Sequence, residues 1–526
     1  MTIKTLSPGL GVSPQIGPAD VAALAASGFR SIICNRPDDE ERGQPSAVAV
    51  AAAADALGLR FIHIPVVAGT IDEGDAAAMT RALAELPGPV LAYCRSGARS
   101  EQLATMAAAR GEDGGIARYD IVVIGGGSAG IAVAASILRR RPDASLAIVE
   151  PSEDHYYQPG WTMVGAGVFA PEVTRRDEAG LIPAGAEWIR AAAASFDPAN
   201  NGVTLADGRV VAYRALVVCP GLKLDWDAIP GLAAALGSDG VTSNYRFDLA
   251  SYTDRLVRRF RGGRALFTQP PMPIKCAGAP QKAMYLSCHR WERAGVLGSA
   301  EVQFHNAAPA LFGVAAYVPA LEAYIARYGI DLQLESRLVS IDGAAKVALF
   351  EQRRGDTVRR VEERFDMIHV VPPQVAPAFI ATSPLAAPSG FVAVDEATLR
   401  HPDHANIFAL GDVAATTNAK TAAAARKQAP VVALNLLAAL EGAPPVAVYD
   451  GYGSCPLTVE AGKIVLAEFG YGGKLLPTFP KWLIDGTRPS RLSWLLKEKI
   501  LPPLYWHGML KGREWLAAPE RRGEGG

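Results

Sequence analysis

The sequence predicts an α/β protein built as two successive units, and three observations carry that prediction. Short apolar runs alternate with Ala/Leu-rich helical stretches through the first 110 residues, a strand runs straight into a glycine loop near residue 125, and a second strand ends in Gly-Asp at 411–412. At roughly 150 residues per domain, a chain of 526 residues has room for several cores, so a lone small binding module is excluded. Hydrophobic residues at 49% and charged residues at 20% are ordinary for globular chains, so 52 Gly and 38 Pro do not signal disorder. Lys plus Arg (52) nearly cancels Asp plus Glu (53), which argues against a nucleic-acid partner. Six cysteines in so long a chain, and a start without a charged-then-apolar leader, predict a reduced cytoplasmic protein rather than a disulfide scaffold. No apolar run is long enough to span a bilayer.

The first unit, residues 1–112, is expected to hold strands at 31–34, 61–64 and 90–93, with helices at 18–27, 47–57, 73–85 and 100–110, which gives a compact domain with a largely parallel sheet. Val90 to Tyr93 leads into Cys94-Arg95-Ser96-Gly97-Ala98-Arg99-Ser100 and then a helix. A cysteine at a strand end, beneath successive backbone N–H groups and a helix N-terminus, sits in an anion nest that favours the thiolate, and Arg99 adds a planar fork of donors. The seam follows at Gly111-Glu112-Asp113-Gly114-Gly115, with a linker at 113–118.

In the second unit, with an oxidoreductase core at 119–440 and a C-terminal segment at 441–526, the strand Ile121-Val122-Val123-Ile124 enters Gly125-Gly126-Gly127-Ser128-Ala129-Gly130 and a helix follows. The first glycine permits the tight turn, the second a close approach to pyrophosphate, and the third close helix-to-strand packing. The helix N-terminus presents N–H groups and positive partial charge to phosphate. A further strand at 146–149 ends in Glu150, a carboxylate placed to accept ribose hydroxyls. Strand, glycines, helix, strand and acid in register predict a dinucleotide site.

The strand at 406–410 ends in Gly411-Asp412, a pattern resembling the one that presents a carboxylate to the ribityl chain of FAD in two-dinucleotide flavoproteins. The same resemblance implies that Lys420-Thr421-Ala422 opens a helix whose N-terminus faces the flavin pyrimidine edge. Together with Asp154-His155-Tyr156-Tyr157-Gln158-Pro159, Trp161, Lys275-Cys276-Ala277-Gly278 and Ser454-Cys455-Pro456-Leu457, these motifs resemble sulfide:quinone oxidoreductases from about residue 118 to 515. The resemblance implies a Rossmann-like FAD/NAD(P)-binding flavoprotein, a bilayer quinone as electron acceptor, sulfide as substrate and a further sulfur acceptor. It assigns Cys276 as the redox thiol. It also places a second redox cysteine directly after the Gly-Asp, where this chain has Val413, so a bridge between those two positions is ruled out. Cys219 and Cys288 are then candidate substitutes, Cys455 reads as structural, and Cys34 has no activating neighbour. NAD(P)H is the rival donor, but the strands at 264–268 and 301–305 lack glycine-rich turns.

The Cys94 loop resembles both rhodanese-like and tyrosine-phosphatase-like sites, and the front unit resembles the phosphatase-like domain found beside metallo-β-lactamase folds; Asn35-Arg36-Pro37-Asp38 supports that. Four residues separate Cys94 from Arg99, the rhodanese spacing, whereas phosphatases use five. Sulfur transfer is therefore preferred to phosphatase chemistry, for which Asp72 or Asp75 is the candidate acid, and to an inert remnant. The tail between 481 and 526 carries nine Lys/Arg against five Asp/Glu, interleaved with Trp482, Trp494, Trp506 and Trp515. That composition suits a peripheral membrane anchor, with a homo-oligomer contact or a cover for the core as the other readings. The reading is an FAD-dependent sulfide oxidation coupled to sulfur transfer. The alternatives are an FAD/NAD(P)-dependent oxidoreductase of another substrate with a phosphatase-like domain, and a non-catalytic redox sensor.

Overall fold

A computed structural model describes residues 2–7, 9–109 and 116–522. Residues 111–115, read above as the seam, lie outside them. The chain divides into two compact α/β units, Met1–Ala117 and Arg118–Gly526.

The first unit is a five-stranded sheet of β1 (Lys4–Ser7), β2 (Leu10–Ser13), β3 (Ser31–Cys34), β4 (Arg60–His63) and β5 (Val90–Tyr93), in the order β1-β2-β5-β3-β4. β1 runs antiparallel to β2 and the other pairs are parallel. Helices α1 (Val21–Ala26), α2 (Ala47–Ala56), α3 (Glu73–Glu85) and α4 (Ala98–Ala109) connect them. β5 is central and all four of its residues are buried, as expected for a parallel strand covered on both faces. Its end therefore delivers Cys94 to the middle of the sheet edge, directly before α4.

The second unit opens with β6 (Ala117–Ile124), α5 (Ser128–Arg140) and β7 (Leu146–Val149). They belong to a seven-stranded sheet in which β6 lies between β7 and the strand Val210–Val218, and Ile407–Ala409 pairs in parallel with Val210–Val218. A strand from late in the chain thus completes the first sheet. Between them, a separate sheet of five parallel strands is formed by Val241–Thr242, Met367–His369, Gly263–Gln269, Ala300–Asn306 and Asp331–Leu334. Small residues let the α5 helix and the helix Ala422–Leu440 share one core, with Ala129, Ala132, Ala425, Ala429 and Ala433 in a single apolar cluster.

The tail is not one amphipathic helix. Pro502 and Pro503 lack N–H donors, and the turns on either side of them, Leu496–Ile500 and Leu504–Gly508, are π-helical. Tyr505, Trp506, Met509 and Leu510 are buried in the core of the first sheet, so this part does cover the core. Trp482 and Trp515 remain 84% and 53% exposed. Among the described residues, no helix is long and apolar enough to cross a membrane.

Candidate active site

Four strands of the first sheet end side by side, because Cys219 N–H donates to Ile124 O (2.8 Å), Gly125 N–H to Val149 O (2.9 Å) and Leu410 N–H to Val218 O (3.4 Å). The chain leaves β6 at Gly125 with φ +104°, and a Cβ there would lie 2.6 Å from Cys219 O. At Gly126 a Cβ would meet Glu178 Oε1 at 2.5 Å, whereas Gly127 faces open space. Gly127 caps α5 without a side-chain bond, so the first N–H groups of that helix remain available to an anion. Glu150 is fixed by Gly126 N–H (2.7 Å) and Ser152 N–H (2.8 Å), each donating to one of its carboxylate oxygens.

These groups line one cavity of about 570 Å³, together with Asp412, Lys420 and the Thr421 cap of the Ala422–Leu440 helix. Every cofactor-binding residue expected from the sequence lines it except Gly130. A Cβ on Gly130 would lie 1.8 Å from Gly125 O, so its role is helix-to-loop packing. Burial raises the pKa of Asp412 against the opposing charges of Lys275 and Lys420. Burial also lowers Lys420 to about 8, with Asp412 opposing. Trp161 Nε1, Thr162 Oγ1 and Asn244 Oδ1 are buried without partners, and all three residues line the cavity. Orphaned polar atoms of this kind call for a ligand. A glycine cradle, a ribose-facing carboxylate and unpaired polar atoms fit a dinucleotide such as FAD.

Cys276 enters the same cavity from a proline-rich loop with φ +50°, a left-handed conformation uncommon outside glycine. The loop is clamped by Cys276 N–H to Lys420 O (2.8 Å) and by the Tyr245 hydroxyl, which donates to the Lys275 and Cys276 carbonyls (3.0 and 3.2 Å). Lys275 Nζ donates to Gln158 Oε1 at 2.7 Å. Lys282, buried in the second turn of the helix Ala279–Arg293, places Nζ 3.2 Å from Cys276 Sγ. A second thiol, Cys455 on the strand Gly453–Glu460, is a close neighbour of Cys276. Gly278 makes that approach possible, since a Cβ there would lie 2.5 Å from Cys455 Sγ. The neighbouring Cys455 thiol drives the pKa of Cys276 well down, with Lys282 and Lys497 adding to it against burial. Cys455 moves in the opposite direction. The pairing favours one thiolate beside one thiol. Burial and the Lys282 charge bring the fully enclosed Lys497 down to about 7.

In the first unit, Cys94 lies fully buried at the end of β5. Burial opposes its ionisation, but N–H groups of Ser100, Ser96, Arg99 and Gly97 converge on the sulfur and lower its pKa on balance. Gly97 N–H is 3.1 Å from Sγ. Arg99 is buried beside it, donating through NH1 to Val66 O at 2.6 Å and pairing through both terminal nitrogens with Glu40 at 2.8 Å. Asp72 caps α3, accepting from Asp75 N–H, while Asp75 accepts from Asp72 N–H. Both candidate acids are thus engaged in a capping box.

Residues 2–111 match the family described as beta-lactamase hydrolase-like protein, phosphatase-like domain. The mitochondrial sulfide:quinone oxidoreductase of Dictyostelium discoideum is 40% identical over 396 residues, covering 75% of this chain and 86% of that protein. The chain belongs to the sulfide:quinone oxidoreductase family. The mitochondrial enzyme of Mus musculus is 36% identical over 396 residues, covering 75% of this chain and 87% of that one. The beta-lactamase hydrolase-like protein of Agrobacterium fabrum is 45% identical over 103 residues, 20% of this chain and 23% of that protein. The crystal structure of the Aquifex aeolicus sulfide:quinone oxidoreductase superposes with a TM-score of 0.63 at 19% identity, over 78% of this chain and 98% of that one, a likeness of fold.

Cys455, read from the sequence as structural, is the thiol that lies beside Cys276. Val413, directly after the cavity-lining Asp412, is fully buried in apolar packing. Cys219 and Cys288 are buried, and burial raises both thiols far above their ordinary range. Lys282 and Lys497 were not among the site residues expected from the sequence. Lys282 carried a signal, six residues after Cys276 just inside a helix, while Lys497 comes from a segment read as an anchor.

Proposed function

We propose that the second unit oxidises sulfide to sulfane sulfur at Cys276 and Cys455 and passes the electrons through FAD to a quinone, while Cys94 in the first unit receives or hands on the sulfur. The observation that carries this reading is the Cys276 thiol at the wall of the dinucleotide cavity, 3.2 Å from Lys282 Nζ, with Cys455 behind it across Gly278. FAD bound there would be held by Gly125, Gly127, Glu150, Asp412 and Lys420 and would supply a two-electron acceptor.

Hydrosulfide attacks Cys455 of a Cys276–Cys455 disulfide; the S–S bond breaks, Cys455 carries the persulfide and Cys276 leaves as the thiolate. Cys276 is the better leaving sulfur because Lys282 stabilises its charge. A nucleophilic acceptor takes the outer sulfur and leaves the Cys455 thiol. Closing the disulfide again releases two electrons and one proton, and Lys497, with a pKa of about 7, is suited to accept that proton.

For the front unit, the four-residue spacing and the capping roles of Asp72 and Asp75 favour sulfur transfer over phosphate ester hydrolysis. Exposed Trp482, Trp515 and Leu516 beside Lys481 and Arg513 support a peripheral membrane contact for the tail, where a quinone resides. The test is anaerobic: sulfide should bleach the flavin of the wild-type protein and fail to do so in Cys276→Ser. Bleaching that persists unchanged in the variant removes Cys276 from the reaction. Sustained turnover with a quinone separates an enzyme from a sensor, which reduces once and stops. Sulfur transfer to cyanide and aryl phosphate hydrolysis, compared in wild type and Cys94→Ser, decide the chemistry of the front unit.

A further inference from the structure

An arginine closing a cysteine loop ordinarily offers its fork to an oxyanion. Here the fork is taken. Arg99 NH1 and NH2 each lie 2.8 Å from Glu40, and NH1 also donates to Val66 O. Glu40 is itself held, because Arg36 Nε donates to its Oε2 at 2.7 Å while Arg36 NH1 is bound by Gln15. Glu41 adds a second carboxylate, accepting from Arg36 NH2 at 2.9 Å. The segment that carries them is tied down by Ala47 N–H donating to Asp38 Oδ1 (2.8 Å) and by Gln44 Nε2 donating to Pro37 O (2.8 Å). Arg36 and Arg99 lend stabilisation to Glu40, whose pKa is lowered to about 2, so the carboxylate stays ionised at any working pH. At the loop base, Cys94 Sγ is fully buried under a ring of N–H groups.

We propose that Glu40 sets the selectivity of the Cys94 loop: by occupying both nitrogens of the Arg99 fork it reserves the loop for the terminal sulfur of a persulfide and turns away dianionic oxyanions such as thiosulfate and phosphate esters. The inference rests on the sulfur-transfer reading of Cys94 and names the donor that this site takes. In the step, the Cys94 thiolate attacks the outer sulfur of R–S–SH, the donor S–S bond breaks, and R–S⁻ leaves and takes the proton. Cys94 then holds a persulfide, from which cyanide removes the sulfur as thiocyanate and restores the thiolate. No net oxidation occurs. A dianion gains little at this loop, since the guanidinium charge that would attract it is already neutralised at hydrogen-bond distance.

The experiment uses the full flavin-loaded chain in a Cys276→Ser/Cys455→Ser background, so that sulfur transfer through the flavin-unit thiol pair is removed. Rates of sulfur transfer to cyanide are measured with a small alkyl persulfide and with thiosulfate. Independently, protection of Cys94 by sulfate or phosphate against iodoacetamide is followed by peptide mass spectrometry. Glu40→Gln should raise the thiosulfate-to-persulfide rate ratio by about tenfold and lower the sulfate concentration needed for protection by a similar factor, while Glu40→Asp, which keeps the charge, should change neither by more than about twofold. Glu40→Ala must move the same way as Glu40→Gln, which covers the case that one of them folds poorly. An unchanged or weakened oxyanion response in the neutral variants overturns the proposal and leaves Glu40 as a residue that only orients Arg99. If no Cys94-dependent transfer occurs with either donor, the sulfur-transfer reading fails, and the protection measurement still decides what Glu40 does to oxyanions.

Discussion

The thiols of Cys276 and Cys94 have their pKa values lowered by different physical routes. Cys276 is half-buried at the wall of a large cavity, its thiolate favoured by a second thiol and by the side-chain charges of Lys282 and Lys497. Cys94 is fully buried at a strand end, its thiolate favoured by the fixed dipoles of four backbone N–H groups, while Arg99 in the same loop is paired with Glu40. Charges carried on long side chains can be deleted singly or titrated; backbone dipoles cannot. Cys276 should therefore respond to substitution of single charged side chains where Cys94 does not.

The largest effect expected is loss of sulfide-dependent flavin reduction in Cys276→Ser or Cys455→Ser, by about a thousandfold or more in each. Stopped-flow bleaching measures it. If Cys455→Ser reduces at the wild-type rate, the two-thiol cycle is wrong even though Cys276 remains in contact with the cavity. Lys282→Met comes next. It removes the cation 3.2 Å from Sγ and should slow iodoacetamide alkylation of Cys276 at pH 7 by roughly tenfold to a hundredfold. The defect should fade as pH rises, because the thiolate then forms without help. Alkylation of Cys94 in the same samples should stay at its wild-type rate, which makes it the internal control.

How much of this contrast was legible in the sequence follows from the range of the interactions. The glycine loop, β6, α5 and β7 were legible because strand, turn and helix signals are local and a buried parallel strand is uniformly apolar. The Cys94 nest was legible for the same reason: strand, cysteine, glycine and helix follow one another directly. The Cys276–Cys455 pair was not, because Cys455 sits on a distant strand and reaches the loop only through the missing side chain of Gly278. Glu40 was likewise hidden, since nothing in Asp38-Asp39-Glu40-Glu41 distinguishes a solvated turn from a carboxylate held by two arginines. Asp72 and Asp75, offered as acids, carried a readable capping pattern that the chemical reading passed over.

A smaller effect sharpens the cost of building a thiolate from buried lysines. Lys497 is pulled from 10.5 to about 7 in the folded protein. Below pH 7 the lysine is charged in both folded and unfolded states, so the full burial cost is present. Between about 7 and 10.5 the unfolded chain holds a proton that the folded one has lost, and stability through this group rises with pH. Lys497→Met should accordingly stabilise the protein by on the order of 2–4 kcal/mol at pH 6, with the advantage shrinking toward pH 10, as thermal melts across that range would record. The gain should come with slower flavin reduction. A variant that is more stable yet reduces as fast would mean that Lys497 does not serve the thiol pair.

The smallest effect concerns the tail, where the same chain uses cations and apolar groups at its surface instead of in its core. Trp482 and Trp515 are exposed, as are Leu483, Leu495 and Ile500, while Tyr505 and Trp506 anchor the segment by packing on Tyr157 and His155. His155 further joins the segment to the glycine loop, through Tyr505 OH (2.6 Å) and on to Ser128 Oγ (2.6 Å). The buried half fixes the segment to the flavin unit, and the exposed half is then free to meet a membrane surface. Flotation with anionic vesicles should show binding that weakens with salt, as expected for basic residues acting within a Debye length. Trp482→Ser should reduce it by only about threefold, because several exposed apolar side chains share the contact. A vesicle affinity indifferent to both salt and Trp482→Ser would assign the exposed half to another partner and leave the quinone to reach the cavity without a membrane contact from this segment.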